Sequence, residues 1–241
     1  MNIIIKENPQ AFDLEGALLF TRQALKKPDT TFGIATGETT RVMYALVAKL
    51  HKELKVDYSL CKTCNLDEYV GIAAHDKHSC CYRINELLLH QINIKPENTY
   101  IPNGLSDPPV KELEVFKEKI AYFGGMDFLV LGIGTNGHIA FNEPGTPFDS
   151  NFHIAQLSEK TRIDKALFFG GRDQVPVFGI TMGIRNIMMA REILAVAKGR
   201  DKAEAVRRIV QGPMMVDIPA SALRIHPVIT MLIDKEAASL L

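Results

Sequence analysis

The 241-residue sequence has no tryptophan, no net charge and no long apolar segment. Its 28 basic and 28 acidic side chains are interspersed, so no basic face for nucleic acid is indicated. No run approaches the ~20 apolar residues of a membrane helix, and the first residues, Met1-Asn-Ile-Ile-Ile-Lys-Glu, are too short and too soon acidic for a signal peptide. We therefore expect a cytoplasmic protein that binds neither nucleic acid nor a membrane.

The chain also lacks any sign of a boundary between domains. No internal repeat, low-complexity segment or Ser/Gly linker divides it. A chain of this length buries about 70–75% of its unfolded surface and needs no disulfide or metal to fold. We expect one domain over residues 1–241.

Cysteine is scarce, but its clustering raises the question of a metal site. The four cysteines are Cys61, Cys64, Cys80 and Cys81, with His75 and His78 between them. Zinc ligands come in pairs on turns, with a spacer of about 12–20 residues. Here the first pair lies in a strand-like segment and the second pair is adjacent. We expect reduced thiols and no metal.

Strand-length apolar runs alternate with amphipathic stretches of helix length along the chain. The predicted strands are Asn2–Ile5, Thr31–Ala35, Lys62–Leu66, Thr99–Pro102, Met126–Gly134, Glu192–Ala197 and Val228–Ile233. The predicted helices are Pro9–Lys26, Thr39–Leu54, Cys80–Gln91, Val110–Tyr122 and Asp201–Gln211. This alternation predicts an α/β fold with a mainly parallel sheet and helices on both faces.

Such a sheet binds ligands beyond the carboxyl ends of its strands. We therefore expect functional residues just after Ala35, Leu66, Gly134 and Ala197. The loop Thr135–Asp149 is too long for a simple connector and is the first candidate for a site.

The segment Gly132-Ile-Gly134-Thr-Asn-Gly137 matches the G-x-G-x-x-G pattern of dinucleotide-binding proteins. That pattern needs a helix to begin at the third glycine, because the helix amino end holds the pyrophosphate. Two prolines, Pro144 and Pro147, follow within ten residues and exclude a sustained helix. Dinucleotide binding is not expected.

The same loop carries Asn136, His138, Asn142 and Glu143 within eight residues. A lone histidine is usually structural, but a nearby carboxylate would fix its tautomer and raise its proton affinity. That arrangement suits acid–base work on a hydroxyl or ring oxygen.

Two further segments lie at predicted strand ends. Asp67 and Glu68 follow the third strand, either as functional carboxylates or as a solvated cap. Residues 35–40, Ala-Thr-Gly-Glu-Thr-Thr, join a strand to a helix, where free N–H groups could hold a phosphate. Helix capping by Thr36 or Thr39 is the alternative.

The three segments together resemble the glucosamine-6-phosphate deaminase (isomerase) family. Its motifs A-T-G-x-T, N-x-D-E-Y and G-x-G-x-x-G-H-x-x-F-N-E-P occur here at 35–39, 65–69 and 132–144, and the likeness covers essentially the whole chain. The resemblance implies a Rossmann-like open sheet. It also implies aldose–ketose isomerisation with deamination of an amino-sugar 6-phosphate, without metal or organic cofactor.

The resemblance assigns roles by position. Asp67 would remove the C2 proton, His138 would assist ring opening, Glu143 would orient and polarise His138, and Asn136 would be positional. The remaining candidates for substrate and phosphate binding are Thr36, Gly37, Glu38, Thr39, Gly134 and Lys202.

Two residues depart from the family pattern. Glu38 stands where glycine or serine is usual, so we expect it to point away from a phosphate, towards Arg41. Leu167 stands where an arginine is thought to grip the phosphate. Both departures predict weakened phosphate recognition.

Several alternatives remain open. The segment beginning at His153 resembles members specific for the C4 epimer, galactosamine 6-phosphate. 6-Phosphogluconolactonases share the fold but lack the F-N-E-P continuation carried here by Asn142 and Glu143. A sugar-phosphate-sensing domain of a transcription regulator would need a DNA-binding segment, for which we expect no room. Oligomeric state is left open.

Overall fold

Strands and helices alternate through a computed structural model that describes all 241 residues. The strands are β1 (Asn2–Lys6), β2 (Thr31–Ile34), β3 (Lys62–Asn65), β4 (Asp67–Tyr69), β5 (Thr99–Tyr100), β6 (Phe128–Gly132), β7 (His153–Gln156), β8 (Phe178–Thr181), β9 (Glu192–Ala197) and β10 (Ile229–Asp234). The α-helices are α1 (Pro9–Lys26), α2 (Glu38–Leu54), α3 (Cys80–Leu87), α4 (Val110–Tyr122), α5 (Glu159–Phe169), α6 (Ile184–Ile187) and α7 (Ala203–Gln211). Short 3-10 turns lie at Leu89–Gln91, Pro96–Asn98, Arg172–Gln174, Arg200–Lys202 and Pro219–Ile225.

Seven strands form the main sheet in the order β1-β10-β9-β6-β2-β3-β5, and every neighbouring pair is parallel. The predicted mainly parallel α/β fold is confirmed. After β2 the chain builds outwards through β3 and β5, and then returns to the other side of β2 with β6. The strand order therefore reverses between β2 and β6, which is where open α/β sheets bind ligands.

The two faces of the sheet are covered by separate apolar cores, as a buried parallel sheet requires. Along β6, Phe128 and Val130 pack with α1 and α2, whereas Leu129 and Leu131 pack with α6 and α7. This burial on both faces explains why residues 128–131 are all apolar: every side chain in that run is buried.

A second sheet was not predicted. It has three antiparallel strands in the order β4-β8-β7. These strands have only three or four residues each, too few for a clear alternating pattern. Only Leu66 separates β3 from β4, so the chain leaves the main sheet and enters the small one at the carboxyl end of β3.

Several predicted boundaries were wrong by a few residues. The predicted helix Cys80–Gln91 is α3 followed by a 3-10 turn, and the predicted helix from Asp201 has a 3-10 turn before α7 begins at Ala203. The helices α5 and α6 were not predicted.

All four cysteines are free thiols. Cys61 and Cys64 lie in different cores, on opposite faces of the main sheet. No helix in the structure combines the length and apolarity needed to cross a membrane.

Candidate active site

A cavity of about 500 Å³ opens at the carboxyl edge of the main sheet, at the place where the strand order reverses. It is lined by residues that follow four strands: Thr36–Thr40 after β2, Asp67 after β3, Thr135 and His138 after β6, and Lys198 to Lys202 after β9. These are the four strand ends predicted from the sequence. Because parallel strands end at one edge, segments more than a hundred residues apart meet there.

The helix α2 begins at this cavity with its backbone N–H groups uncapped. Gly37 is the N-cap residue, and no side chain caps the helix. Thr40 Oγ1 donates instead to the carbonyls of Ala35 and Gly37, while Thr36 Oγ1 is buried without a partner. The capping interpretation of Thr36 and Thr39 is therefore wrong. The helix amino end, with Thr36, Gly37 and Thr39 lining the cavity, suits an anion.

Glu38 belongs to the same loop and also lines the cavity, but its carboxylate pairs with two arginines. Its carboxylate lies 3.1 Å from Arg41 Nε, as expected from the sequence, and 2.7 Å from Arg83 Nη2. Arg83 belongs to α3, 45 residues further along the chain, so its ion pair with Glu38 could not be predicted from local sequence spacing.

Asp67 and Glu68 are both buried, which excludes the solvated-cap interpretation. Glu68 accepts hydrogen bonds from the backbone N–H groups of Tyr69, Cys80 and Cys81, and so holds the start of α3. Asp67 faces the cavity instead, where its Oδ1 lies 3.6 Å from the thiol of Cys80. Burial, reinforced by the charge of Glu68, raises the pKa of Asp67 to about 7. A carboxylate of this kind is a competent base near neutral pH.

His138 also lines the cavity, while Asn136 and Glu143 lie behind it. Asn136 Nδ2 donates to Glu143 Oε2 over 2.9 Å, and Asn136 Oδ1 lies 2.7 Å from His138 Nδ1. The imidazole and the carboxylate are 3.7 Å apart, so the amide mediates between them. Glu143 therefore contacts His138 through Asn136, a more specific place for Asn136 than the positional role expected from the sequence.

This chain of contacts fixes the tautomer of His138. An ionised carboxylate only accepts hydrogen bonds, so the amide NH₂ of Asn136 must face Glu143. Its oxygen then faces the imidazole and can only accept, so Nδ1 carries the proton. Burial lowers the pKa of His138 to about 4, against the opposing effect of Glu143. The ring is thus neutral at pH 7, with the lone pair of Nε2 unused.

The glycines of the G-x-G-x-x-G segment shape this loop rather than a nucleotide site. A Cβ on Gly134 would lie 2.3 Å from the His138 ring, and Gly137 adopts a positive φ of 84°. No helix follows β6 until α5, which agrees with the exclusion of a dinucleotide fold. Asn142 is buried and donates to the carbonyls of Ile139 and Met182, which ties the loop to the small sheet.

The cationic side of the cavity contains residues that the sequence interpretation missed. Lys202 lines it as expected, but so do Arg83 and Lys165. Leu167, expected in the place of a phosphate-binding arginine, points to solvent with 96% of its surface exposed. Thr161, Lys165 and Phe169 share the inner face of α5 at a spacing of four residues, whereas Leu167 lies about 200° around the helix from Lys165. That spacing was the signal that could have identified Lys165.

The segment suggestive of the galacto epimer lies elsewhere. His153–Gln156 forms β7 at the edge of the small sheet, and none of its residues lines the cavity. His153 Nδ1 lies 2.8 Å from the carbonyl of Asn151.

Comparison with known proteins gives the chain full-length relatives. It is 40% identical over 241 residues to a glucosamine-6-phosphate deaminase of Halothermothrix orenii, with all of both chains covered. It is 39% identical over 241 residues to that of Thermoanaerobacter pseudethanolicus, covering all of this chain and 95% of the relative. The solved structure of a monomeric glucosamine-6-phosphate deaminase superposes with a TM-score of 0.98 at 38% identity, with both chains fully covered.

A 6-phosphogluconolactonase from Trypanosoma brucei superposes with a TM-score of 0.82 at 20% identity, covering 100% of this chain and 98% of that one. That likeness is one of fold. Residues 17–231 match the model of the family described as glucosamine-6-phosphate isomerases/6-phosphogluconolactonase. The sequence motifs, the fold and this match agree: the chain belongs to the glucosamine-6-phosphate isomerase/6-phosphogluconolactonase family.

Proposed function

We propose that the protein converts glucosamine 6-phosphate and water into fructose 6-phosphate and ammonia. The observation that carries the proposal is the placement of two differently tuned proton-transfer groups, Asp67 and His138, in one cavity of substrate size. The relatives with this name, at about 40% identity over the full chain, support the same substrate.

Ring opening is the task for His138. The unprotonated Nε2 takes the proton of the anomeric hydroxyl and returns it to the ring oxygen as the C1–O5 bond breaks. The imidazolium formed in between is stabilised by the Glu143 carboxylate through Asn136. A neutral resting imidazole is needed for the first transfer, and the burial of His138 provides it.

Isomerisation is the task for Asp67. Its carboxylate removes the proton from C2 of the open aldehyde, giving an enolamine, and the proton is then placed on C1. Water attacks the resulting C2 imine, and ammonia leaves. Each positioned proton transfer contributes about 10²–10⁴-fold in rate.

The phosphate would lie at the amino end of α2, among Thr36, Gly37 and Thr39, with Lys202 across the cavity. This places the sugar carbons towards Asp67 and His138. Gly134 lines the same space and leaves room for the imidazole. The chemistry consists of proton transfers and hydration, so the proposal includes no metal or organic cofactor.

A lactonase reaction is less well matched to the cavity. Hydrolysis of an ester requires no removal of a proton from carbon, and it gives no role to a buried carboxylate with a raised pKa such as Asp67. Nothing in the cavity favours the galacto epimer, because the His153 segment does not reach it.

The test is product formation from glucosamine 6-phosphate, galactosamine 6-phosphate and 6-phosphogluconolactone, with ammonia and fructose 6-phosphate measured separately. We expect ammonia from the gluco substrate, and loss of deuterium from C2-labelled substrate. Asp67→Asn should abolish both while the sugar phosphate still binds, and the exposed variant Asp173→Asn should behave as wild type. A ligand-induced rise in Tm without ammonia release would instead support a sensor, and unchanged exchange in Asp67→Asn would remove Asp67 from the mechanism.

A further inference from the structure

One of the five cations that line the cavity is not paired with a carboxylate. The cations that line it are Arg83, Lys160, Lys165, Lys198 and Lys202. Four of these form ion pairs: Arg83 with Glu38, Lys160 with Asp164, Lys198 with Asp13, and, at 3.9 Å, Lys202 with Asp201. Lys165 alone has neither an ion pair within 4.0 Å nor a hydrogen-bond partner.

The surroundings of Lys165 make this lack of a partner costly. It projects from the inner face of α5, between the buried residues Thr161 and Phe169. Burial lowers the pKa of Lys165 and the charge of Arg83 lowers it further, against the opposing effects of Cys80, Glu38 and Asp67. Burial also lowers the pKa of Lys202, and the charge of Lys165 adds to that shift, so the two ammonium groups in the cavity repel one another. An anion between them would relieve both the desolvation and the repulsion.

We propose that Lys165 and Lys202 together bind the phosphate of the substrate, opposite the amino end of α2. Two lysines neutralise a phosphate dianion. Lys202 alone would neutralise only one of the two negative charges of the phosphate, and the other would depend on the amino end of α2. This corrects the expectation drawn from Leu167: the cation missing at that position is present two residues earlier, on the face of α5 that lines the cavity. The identity of the phosphate ester rests on the proposed function, but the presence of the anion site does not.

A phosphate group lies far from the reacting carbons and is bound equally in the ground state and the transition state. Loss of Lys165 should therefore raise KM by a larger factor than it lowers kcat, since its charge also acts on the pKa of Asp67 and of His138. One charge-assisted hydrogen bond corresponds to a change of about 10–100-fold in affinity.

The experiment compares wild type, Lys165→Met, Lys165→Arg and the surface control Lys117→Met. Titration calorimetry measures the binding of inorganic phosphate and of fructose 6-phosphate, and steady-state kinetics measure KM and kcat. We expect Lys165→Met to weaken phosphate binding about 10–100-fold and to raise Tm in the absence of ligand, because an unpaired, half-buried charge is removed. Lys165→Arg should restore most of the binding, and Lys117→Met should match wild type.

The possible outcomes separate this inference from the proposed function. Wild-type affinity for phosphate and wild-type KM in a folded Lys165→Met would overturn it, and so would a wild-type protein that binds neither phosphate nor fructose 6-phosphate. If Lys165→Met loses phosphate binding while the wild-type protein releases no ammonia, the anion site stands and the proposed reaction fails.

Discussion

At the scale of single residues, the protonation states of His138 and Asp67 are set by burial and by their neighbours. His138 is held as one tautomer because an amide stands between it and a carboxylate, and it is held neutral by burial. Asp67 is shifted in the opposite sense, by burial beside Glu68. The two shifts reverse the usual order, because the pKa of Asp67 rises to about 7 while that of His138 falls to about 4.

The role of Glu143 is testable through the titration of His138. Glu143→Gln keeps the shape of the side chain, but removes the charge that raises the pKa of His138 and allows the Asn136 amide to reverse. We expect kcat to fall about 10–100-fold and the pKa of the imidazole, followed by NMR, to move lower.

The matched control for that variant is Glu86→Gln, a change at an exposed carboxylate 3.4 Å from another histidine, His90, outside the cavity. It should leave both the rate and the titration of His138 unchanged. An identical pH profile for wild type and Glu143→Gln would show that the carboxylate does not act on His138.

At the scale of elements, the decisive feature is the loop after β6. Gly134 gives the imidazole its space, Gly137 turns the chain with positive φ, and Asn142 ties the loop to the small sheet. The sequence predicted that this loop is functional and that no helix follows. It could not predict that Asn136 lies between His138 and Glu143, because that depends on how the loop folds back on itself.

Gly134→Ala tests the loop without removing any polar group. The added Cβ would lie 2.3 Å from the His138 ring, so the ring must turn away from its hydrogen bond to Asn136. We expect kcat to fall at least about 100-fold, as for a misplaced catalytic group, with a smaller loss of stability. Kinetics together with urea unfolding check this, and full activity in the variant would contradict the assigned position of the imidazole.

At the scale of the whole molecule, Asp67 and His138, which line the same cavity, impose opposite pH dependences on stability. Asp67 has a folded pKa of about 7, above its ordinary value of 3.8, so the stability it contributes when protonated is lost as pH rises from about 4 to 7. His138 has a folded pKa of about 4, below its ordinary value of 6.5. The stability that it contributes when neutral is therefore lost as pH falls from about 6.5 to 4. The two effects oppose each other between pH 4 and 7.

Asp67→Asn should separate the two effects. At pH 4 the variant and wild type should have similar free energies of unfolding, because both carry a neutral side chain at position 67. Above pH 7 the variant should be more stable by about 2–4 kcal/mol, since the wild type then carries a buried carboxylate. Urea unfolding from pH 4 to 8 measures the difference. The exposed variant Asp173→Asn should show no such divergence, and a constant difference between Asp67→Asn and wild type would contradict the raised pKa.

The alternation of strands and helices, the parallel sheet and the strand ends that line the cavity could all be predicted from the amino-acid sequence. These follow from local apolar periodicity and from the geometry common to all parallel sheets. The folded structure was needed to show which side chains meet there: Arg83 pairs with Glu38, the Asn136 amide lies between His138 and Glu143, and Lys165 rather than Leu167 lines the cavity. Ion pairs, tautomers and desolvation depend on distances between segments that are remote in the chain, and no local pattern encodes those distances.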